Sequence, residues 1–144
     1  MTKAFQIMHN MMLAHAKAVV AYKEAGYKGQ IGCVQSLEYK YPYDENSLDD
    51  IQAAKNEDVL QNQFLLDATF KGYYSTETME IVDRLVAINN GQLDLRDEDF
   101  EVMKKAAVLI DYMGMNYYQS RFIQYYDGEN DIHLSLIHIS EPTR

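Results

Sequence analysis

The sequence predicts an α/β protein built around one parallel β-α-β unit. Two short apolar stretches, at 30–37 and 112–126, read as strands, and the segment between them carries helical spacing, caps and breakers. A further helix precedes the first strand. Strands joined by a helical crossover pair in parallel. Both stretches look apolar on both faces, yet a two-stranded parallel sheet cannot cover itself. Further structure is therefore expected on each side of the pair.

The first helix is expected over about 4–25, because Met8, Met12, His15, Val19 and Tyr22 recur at alternating four- and three-residue steps and share a face. Gly26 and Gly29 stop it, with Lys23 and Lys28 near the negative end of its dipole. The first strand follows at 30–37. Residues 39–47, with Pro42 and an Asp-Glu-Asn-Ser run, read as a loop. A second helix is expected from Leu48 or Asp49 to Phe70, with Leu60, Phe64 and Ala68 on one side and Gly72 as its stop. Ser75 or Thr76 caps a third helix reaching about 89, with Glu77 and Glu80 near its positive end. Asn90-Gly91 is a turn. Asp97, Glu98 and Asp99 open a fourth helix that Lys104 and Lys105 close. The stretch 112–126 is then a strand leading into a loop.

The chain has 144 residues, 47% apolar and 24% charged, which is the composition of a globular protein rather than a disordered one. Acidic residues outnumber basic ones by 22 to 13, for a net charge of −9. That balance repels phosphate backbones and anionic lipid, so neither nucleic acid nor membrane is an expected partner. No apolar run approaches the ~20 residues of a membrane span, and the start has no signal-peptide pattern. A single cysteine, Cys33, fits a reducing, cytoplasmic setting.

Candidate site residues are few. His9 and His15 lie six apart, on roughly opposite helix faces, so they do not form a metal pair, and His15 reads as a core histidine. Cys33 reads as packing. Asp67 reads as a buried, paired carboxylate, since no second carboxylate can be set opposite it. Glu38 stands at the end of the first strand, where α/β sites gather. The seven glycines form no phosphate loop, and no serine sits in a nucleophile elbow. The stretch 111–118 is the most informative, because Asn116 beside two tyrosines ends an apolar strand. A substrate-facing group and an ordinary capping asparagine remain equal alternatives there.

Several segments carry a family resemblance: HNMMLAHAKAV at 9–19, GYKGQIG at 26–32, KYPYD at 40–44, LLDATFKGYYS at 65–75, LDLRDEDF at 93–100 and YMGMNYYQS at 112–120. In this order and spacing the chain resembles glycoside hydrolase family 1 over about 4–133, closest to its bacterial 6-phospho-β-galactosidase branch. The resemblance implies a fragment of a TIM (β/α)₈ barrel, roughly helix 4 to strand 6, and such a barrel takes about 250 residues or more. Residues 1–133 would be a partial barrel domain. Residues 134–144 depart from the pattern, and SLIHISEPTR resembles a translated sequencing-adapter read-through, so they are set aside as a non-native tail. Met1 is expected to be an internal methionine of a longer parent.

The same resemblance implies hydrolysis of phosphorylated disaccharides such as lactose 6-phosphate by a retaining two-glutamate mechanism, without metal or organic cofactor. Its small-molecule partner would be a phosphorylated glycoside. The acid/base, in an Asn-Glu motif after strand 4, is expected upstream of Met1. The nucleophile, in a Thr-Glu-Asn-Gly motif, and the phosphate-binding residues are expected beyond 133. No catalytic residue is thus expected in this chain. Asn116 matches the asparagine of the sugar-binding subsite, and Tyr118 matches the tyrosine whose hydroxyl positions the nucleophilic carboxylate. A 6-phospho-β-glucosidase of the same family and a non-enzymatic helical binding module are the alternatives.

Overall fold

The computed structural model describes residues 2–88 and 90–126. Helix α1 spans Thr2–Glu24 and leads into strand β1 at Gly32–Ser36 and a short strand β2 at Lys40–Pro42. A long helical run follows: α2 at Leu48–Asp58, a π-helical turn at Val59–Gln63, the single turn α3 at Phe64–Leu66 and a second π-helical turn at Asp67–Lys71. Helices α4 (Thr76–Ala87) and α5 (Asp97–Ala107) complete the crossover. Strands β3 (Tyr112–Asn116) and β4 (Arg121–Ile123) end the described chain.

The parallel pairing expected from the element order is present. Strand β1 pairs with β3 from Gly32 opposite Tyr112 to Ser36 opposite Asn116. Strand β2 pairs with β4 from Lys40 opposite Arg121 to Pro42 opposite Ile123. The partner offset is 80 in the first ladder (112 − 32) and 81 in the second (121 − 40). The loop 117–120 therefore carries one residue more than the facing connector 37–39.

Local chemistry explains the helix ends. Ser47 accepts a hydrogen bond from the Asp50 amide, with Asp49 and Asp50 in the positive first turn of α2. Gly72 ends the long helical run in the left-handed region, φ 71°, its N–H donating to the Asp67 carbonyl at 3.0 Å. A side chain there would collide with the backbone of Lys104 in α5. Ser75 caps α4, and Asp97, Glu98 and Asp99 open α5 as the dipole requires.

The core lies between the helices. Phe5, Val19, Phe64, Ile81, Val82, Leu85 and Met103 are buried together. Phe5 meets Phe64 edge-on at 5.1 Å, and Phe64 stacks on Tyr74 at 4.1 Å.

Three expectations need correction. The buried face of α1 is Phe5, His9, Ala16 and Val19; of the expected stripe Val19 is buried and Met8 and Met12 pack at the core's edge, while His15 and Tyr22 are only half-buried. The stripe is rotated because Phe5 and His9 anchor it against Phe64 and Tyr74. Strand β1 is covered on one face alone: Gln35 is buried, but Val34 is 63% exposed. Its second face would be filled by structure that these residues do not contain. Residues 39–47 are not all loop, because Lys40–Pro42 pairs as β2. Pro42 fits there at the strand's end, where its missing N–H costs no ladder bond. The segment set aside as a tail, 134–144, lies outside the described residues.

Candidate active site at the carboxyl ends of two parallel strands

Residues opposite one another in a parallel ladder share a face, and side chains alternate along each strand. Gly32, Val34 and Ser36 therefore share a face with Tyr112, Gly114 and Asn116. On the other face the buried Gln35 side-chain amide donates to the Thr69 hydroxyl of the crossover at 2.7 Å, while its β3 neighbour Met115 is 59% exposed. Asn116 thus stands at the carboxyl end of β3 on the face that no helix of the described chain covers. Its backbone carbonyl accepts from the Leu37 N–H at 2.9 Å, which ties its position to the end of β1. Tyr118 is two residues further on, in the loop, and is 80% exposed. Tyr117, its neighbour, bonds through its hydroxyl to Ser120 and so bridges the loop internally.

Glu38 lies beside this loop, but its carboxylate is fully engaged. Oε2 accepts from Lys40 Nζ at 2.9 Å and lies 2.7 Å from Arg121 Nε in an ion-pair contact. Oε1 accepts from Gln119 Nε2 at 3.1 Å and from Arg121 Nη2 at 3.2 Å. Burial disfavours its charged form, but the Lys40 and Gln119 hydrogen bonds and the charges of Lys40 and Arg121 outweigh that, and its pKa lies below the ordinary value. Glu57, 4.0 Å from Lys40, goes the other way: burial pushes its carboxyl up, and Lys40 and Arg121 only partly oppose this.

Two carboxyls with pKa values pushed apart are a pattern of acid–base sites. Here they face Lys40, whose side chain is fully buried and which Glu38 holds at 2.9 Å. The clefts of about 190 and 600 Å³ lie along the helices, lined by residues such as Asn56 and Arg84 or Tyr73 and Phe100. The Glu38–Glu57 group is therefore an internal charge network. Glu57 also follows Asn56, so an Asn-Glu pair does occur in the chain. It lies within α2 rather than after a strand, and so does not present an acid to a sugar.

The remaining candidates are structural. Asp67 is buried, and its Oδ2 accepts from the Ser75 amide at 2.9 Å, the Ser75 hydroxyl at 2.7 Å and the Thr78 hydroxyl at 2.8 Å. Lys71 Nζ reaches its Oδ1 at 2.6 Å. Burial opposes ionisation, yet these donors, Lys71 foremost, hold the pKa below the usual range. His9, not His15, is the core histidine, with Nδ1 2.9 Å from the Tyr74 hydroxyl and Nε2 3.4 Å from Asp99. His15 is half-buried, and burial lowers its pKa. Cys33 is a free, half-buried thiol whose pKa burial raises, the setting of an inert cysteine.

Sequence reasoning missed Lys40, Asn62 and Arg121. Asn62, in the first π turn, accepts from the Glu38 N–H at 3.2 Å and donates to the Glu38 carbonyl at 2.7 Å and to Asp58 at 2.6 Å. A polar residue among the apolar positions of the long helical run was the signal available.

A βαβ unit with polar groups at the carboxyl end of its parallel strands and one uncovered sheet face is a piece of a barrel-type α/β enzyme. Its sequence agrees, for the model of the family described as Glycosyl hydrolase family 1 matches residues 1–138, and the chain belongs to that family. It is 52% identical over 132 residues to a 6-phospho-β-galactosidase of Streptococcus mutans, covering 92% of this chain and 28% of that protein. Identity to a 6-phospho-β-galactosidase of Leptotrichia buccalis is 54% over 130 residues, covering 90% of this chain and again 28% of the relative. The chain thus spans little more than a quarter of these relatives. Among solved structures, a β-glucosidase from Exiguobacterium marinum superposes with a TM-score of 0.76 at 26% identity, over 94% of this chain and 29% of that one. The family 1 β-glucosidase of Thermotoga maritima gives 0.69 at 25% identity, over 94% and 28%.

Proposed function

We propose that the chain is the helix 4 to strand 6 portion of a 6-phospho-β-galactosidase, and that the whole enzyme hydrolyses phosphorylated disaccharides such as lactose 6-phosphate in the cytoplasm. The observation that carries this is Asn116, at the carboxyl end of a parallel strand on the helix-free face. The surrounding segment is more than half identical to two 6-phospho-β-galactosidases. In a retaining mechanism two carboxyls stand about 5–5.5 Å apart; one protonates the leaving oxygen while the other attacks the anomeric carbon, and water then releases the sugar. In this reading both glutamates come from outside these residues, and no metal or organic cofactor takes part. Asn116 donates and accepts hydrogen bonds at the sugar's hydroxyls. Tyr118 donates its phenol proton to the nucleophilic carboxylate, which keeps that group ionised and oriented. Its exposure fits a side chain whose partner lies in another part of the barrel.

The test is hydrolysis of nitrophenyl galactoside 6-phosphate by the purified 144-residue chain and by the product of the uninterrupted parent reading frame. The parent is expected to cleave it and the chain alone to do nothing. Activity in the chain alone would overturn the assignment of both glutamates to other segments, and an inactive parent would overturn the substrate.

A further inference from the structure

The loop that carries Tyr118 is one residue longer than the connector facing it, yet ladder bonds resume on its far side. The Leu37 N–H donates to the Asn116 carbonyl before the loop, and the Arg121 N–H donates to the Tyr39 carbonyl after it, both at 2.9 Å. Between those bonds no backbone pairing spaces the two segments. An extra residue of this kind is left unpaired and bends the strand, so side-chain contacts must set the loop's position. Glu38 is the middle residue of the short connector, and it spans the gap. Its carboxylate takes Gln119 from inside the loop and Arg121 from just beyond it. Its own backbone is pinned on both sides by Asn62, and Lys40 supports the carboxylate from beneath.

We propose that Glu38 is a positioning residue: with Lys40, Gln119 and Arg121 it clamps the loop 117–120 to the end of β1 and so sets where the Tyr118 side chain stands. The functional part of this rests on the role given to Tyr118 above. Asn116 is held by the ladder whether or not the clamp is closed, whereas Tyr118 depends on the loop alone. Opening the clamp should therefore lower the rate of the chemical step more than it weakens sugar binding. A misplacement near 1 Å costs about a hundredfold in rate, so a loss of about ten- to a hundredfold is expected.

The experiment uses the full-length parent with Glu38→Gln, Arg121→Gln and Arg121→Lys. Glu38→Gln leaves buried Lys40 with only Glu57 and can disturb folding, whereas Arg121→Gln keeps the Glu38–Lys40 pair and opens only the loop side. Both glutamine variants should lose kcat about ten- to a hundredfold with KM changed far less, and Arg121→Lys should recover part of the loss. Hydrogen exchange in the same proteins should speed up at the amides of 117–121 and stay unchanged in α1 and α5. In Arg121→Gln, unchanged kcat, unchanged loop exchange, or protection lost equally in α1 and α5 would each overturn the clamp. If the wild-type parent fails to cleave the phosphogalactoside, the substrate reading fails, while the exchange result still decides whether Glu38 holds the loop.

Discussion

Replacing Asp67 with alanine should loosen the start of α4 while leaving the strands in place. Its Oδ2 accepts three donors, from the Ser75 amide, the Ser75 hydroxyl and the Thr78 hydroxyl. After the change the Ser75 and Thr78 hydroxyls, already 2.9 Å apart, can still bond to each other. The Ser75 N–H and half of the hydroxyl capacity are then left without an acceptor. At about 1–3 kcal/mol for each buried group left unsatisfied, with the half-buried Ser75 N–H at about 1, the lower end of that range, the cost is about 2–4 kcal/mol in all. The Lys71 pair adds little, since Lys71 is half exposed and solvent screens the pair. Site-resolved hydrogen exchange reads this directly: first-turn amides of α4 should exchange roughly thirtyfold to several hundredfold faster. Asp67→Asn keeps a neutral acceptor for the three donors, with weaker bonds than the carboxylate makes, and should cost clearly less than the alanine change. Because its native pKa is depressed, Asp67 stabilises fully above the unfolded value near ~3.9. That stabilisation is lost as pH falls through the lower native value. The alanine effect should therefore be constant at neutral pH and fade in acid. An alanine variant within about 0.5 kcal/mol of wild type, or an asparagine variant equally damaged, would refute the reasoning.

Two further outcomes follow from the same geometry. Tyr118→Phe in the full-length parent removes a donor to the nucleophilic carboxylate, so that group's pKa rises. The acid limb of the kcat/KM profile should move to higher pH, and an unmoved limb would remove Tyr118 from that role. The isolated 144-residue chain, with Val34, Tyr112 and Met115 exposed on its strands, should self-associate in light scattering. A monomer with a sharp thermal transition would count against its being one portion of a barrel.

Where the sequence was readable, the signal was local. Ser75 precedes an early acid, Gly72 follows the last helical residue, and 97–99 is a run of acids, so these helix ends could be read from capping chemistry, whereas Ser47, the cap of α2, was read only as loop. The parallel pair followed from element order. What stayed hidden depends on contacts across the chain. The two π turns leave no local mark, yet they carry Asn62 and Thr69, the residues that grip Glu38 and Gln35. The short β2–β4 ladder was masked by Pro42, and the full buried face of α1 by its polar member His9, which is held from distant Tyr74 and Asp99. At the candidate site Asn116 was legible from its place at a strand end. Glu38 was noticed for the right position but the wrong reason, because periodicity cannot show that Arg121 and Gln119 meet it from 81 or more residues away.

The central claim is that these residues belong to an enzyme that cleaves 6-phosphorylated galactosides. It is tested most directly by measuring kcat/KM of the uninterrupted parent protein for nitrophenyl galactoside 6-phosphate, the matching glucoside 6-phosphate and the unphosphorylated galactoside. The account predicts the highest value for the galactoside 6-phosphate and a steep loss without the phosphate. A preference for the glucoside 6-phosphate would move the chain to the sister specificity, and equal turnover of the unphosphorylated galactoside would contradict the phosphoglycosidase reading itself.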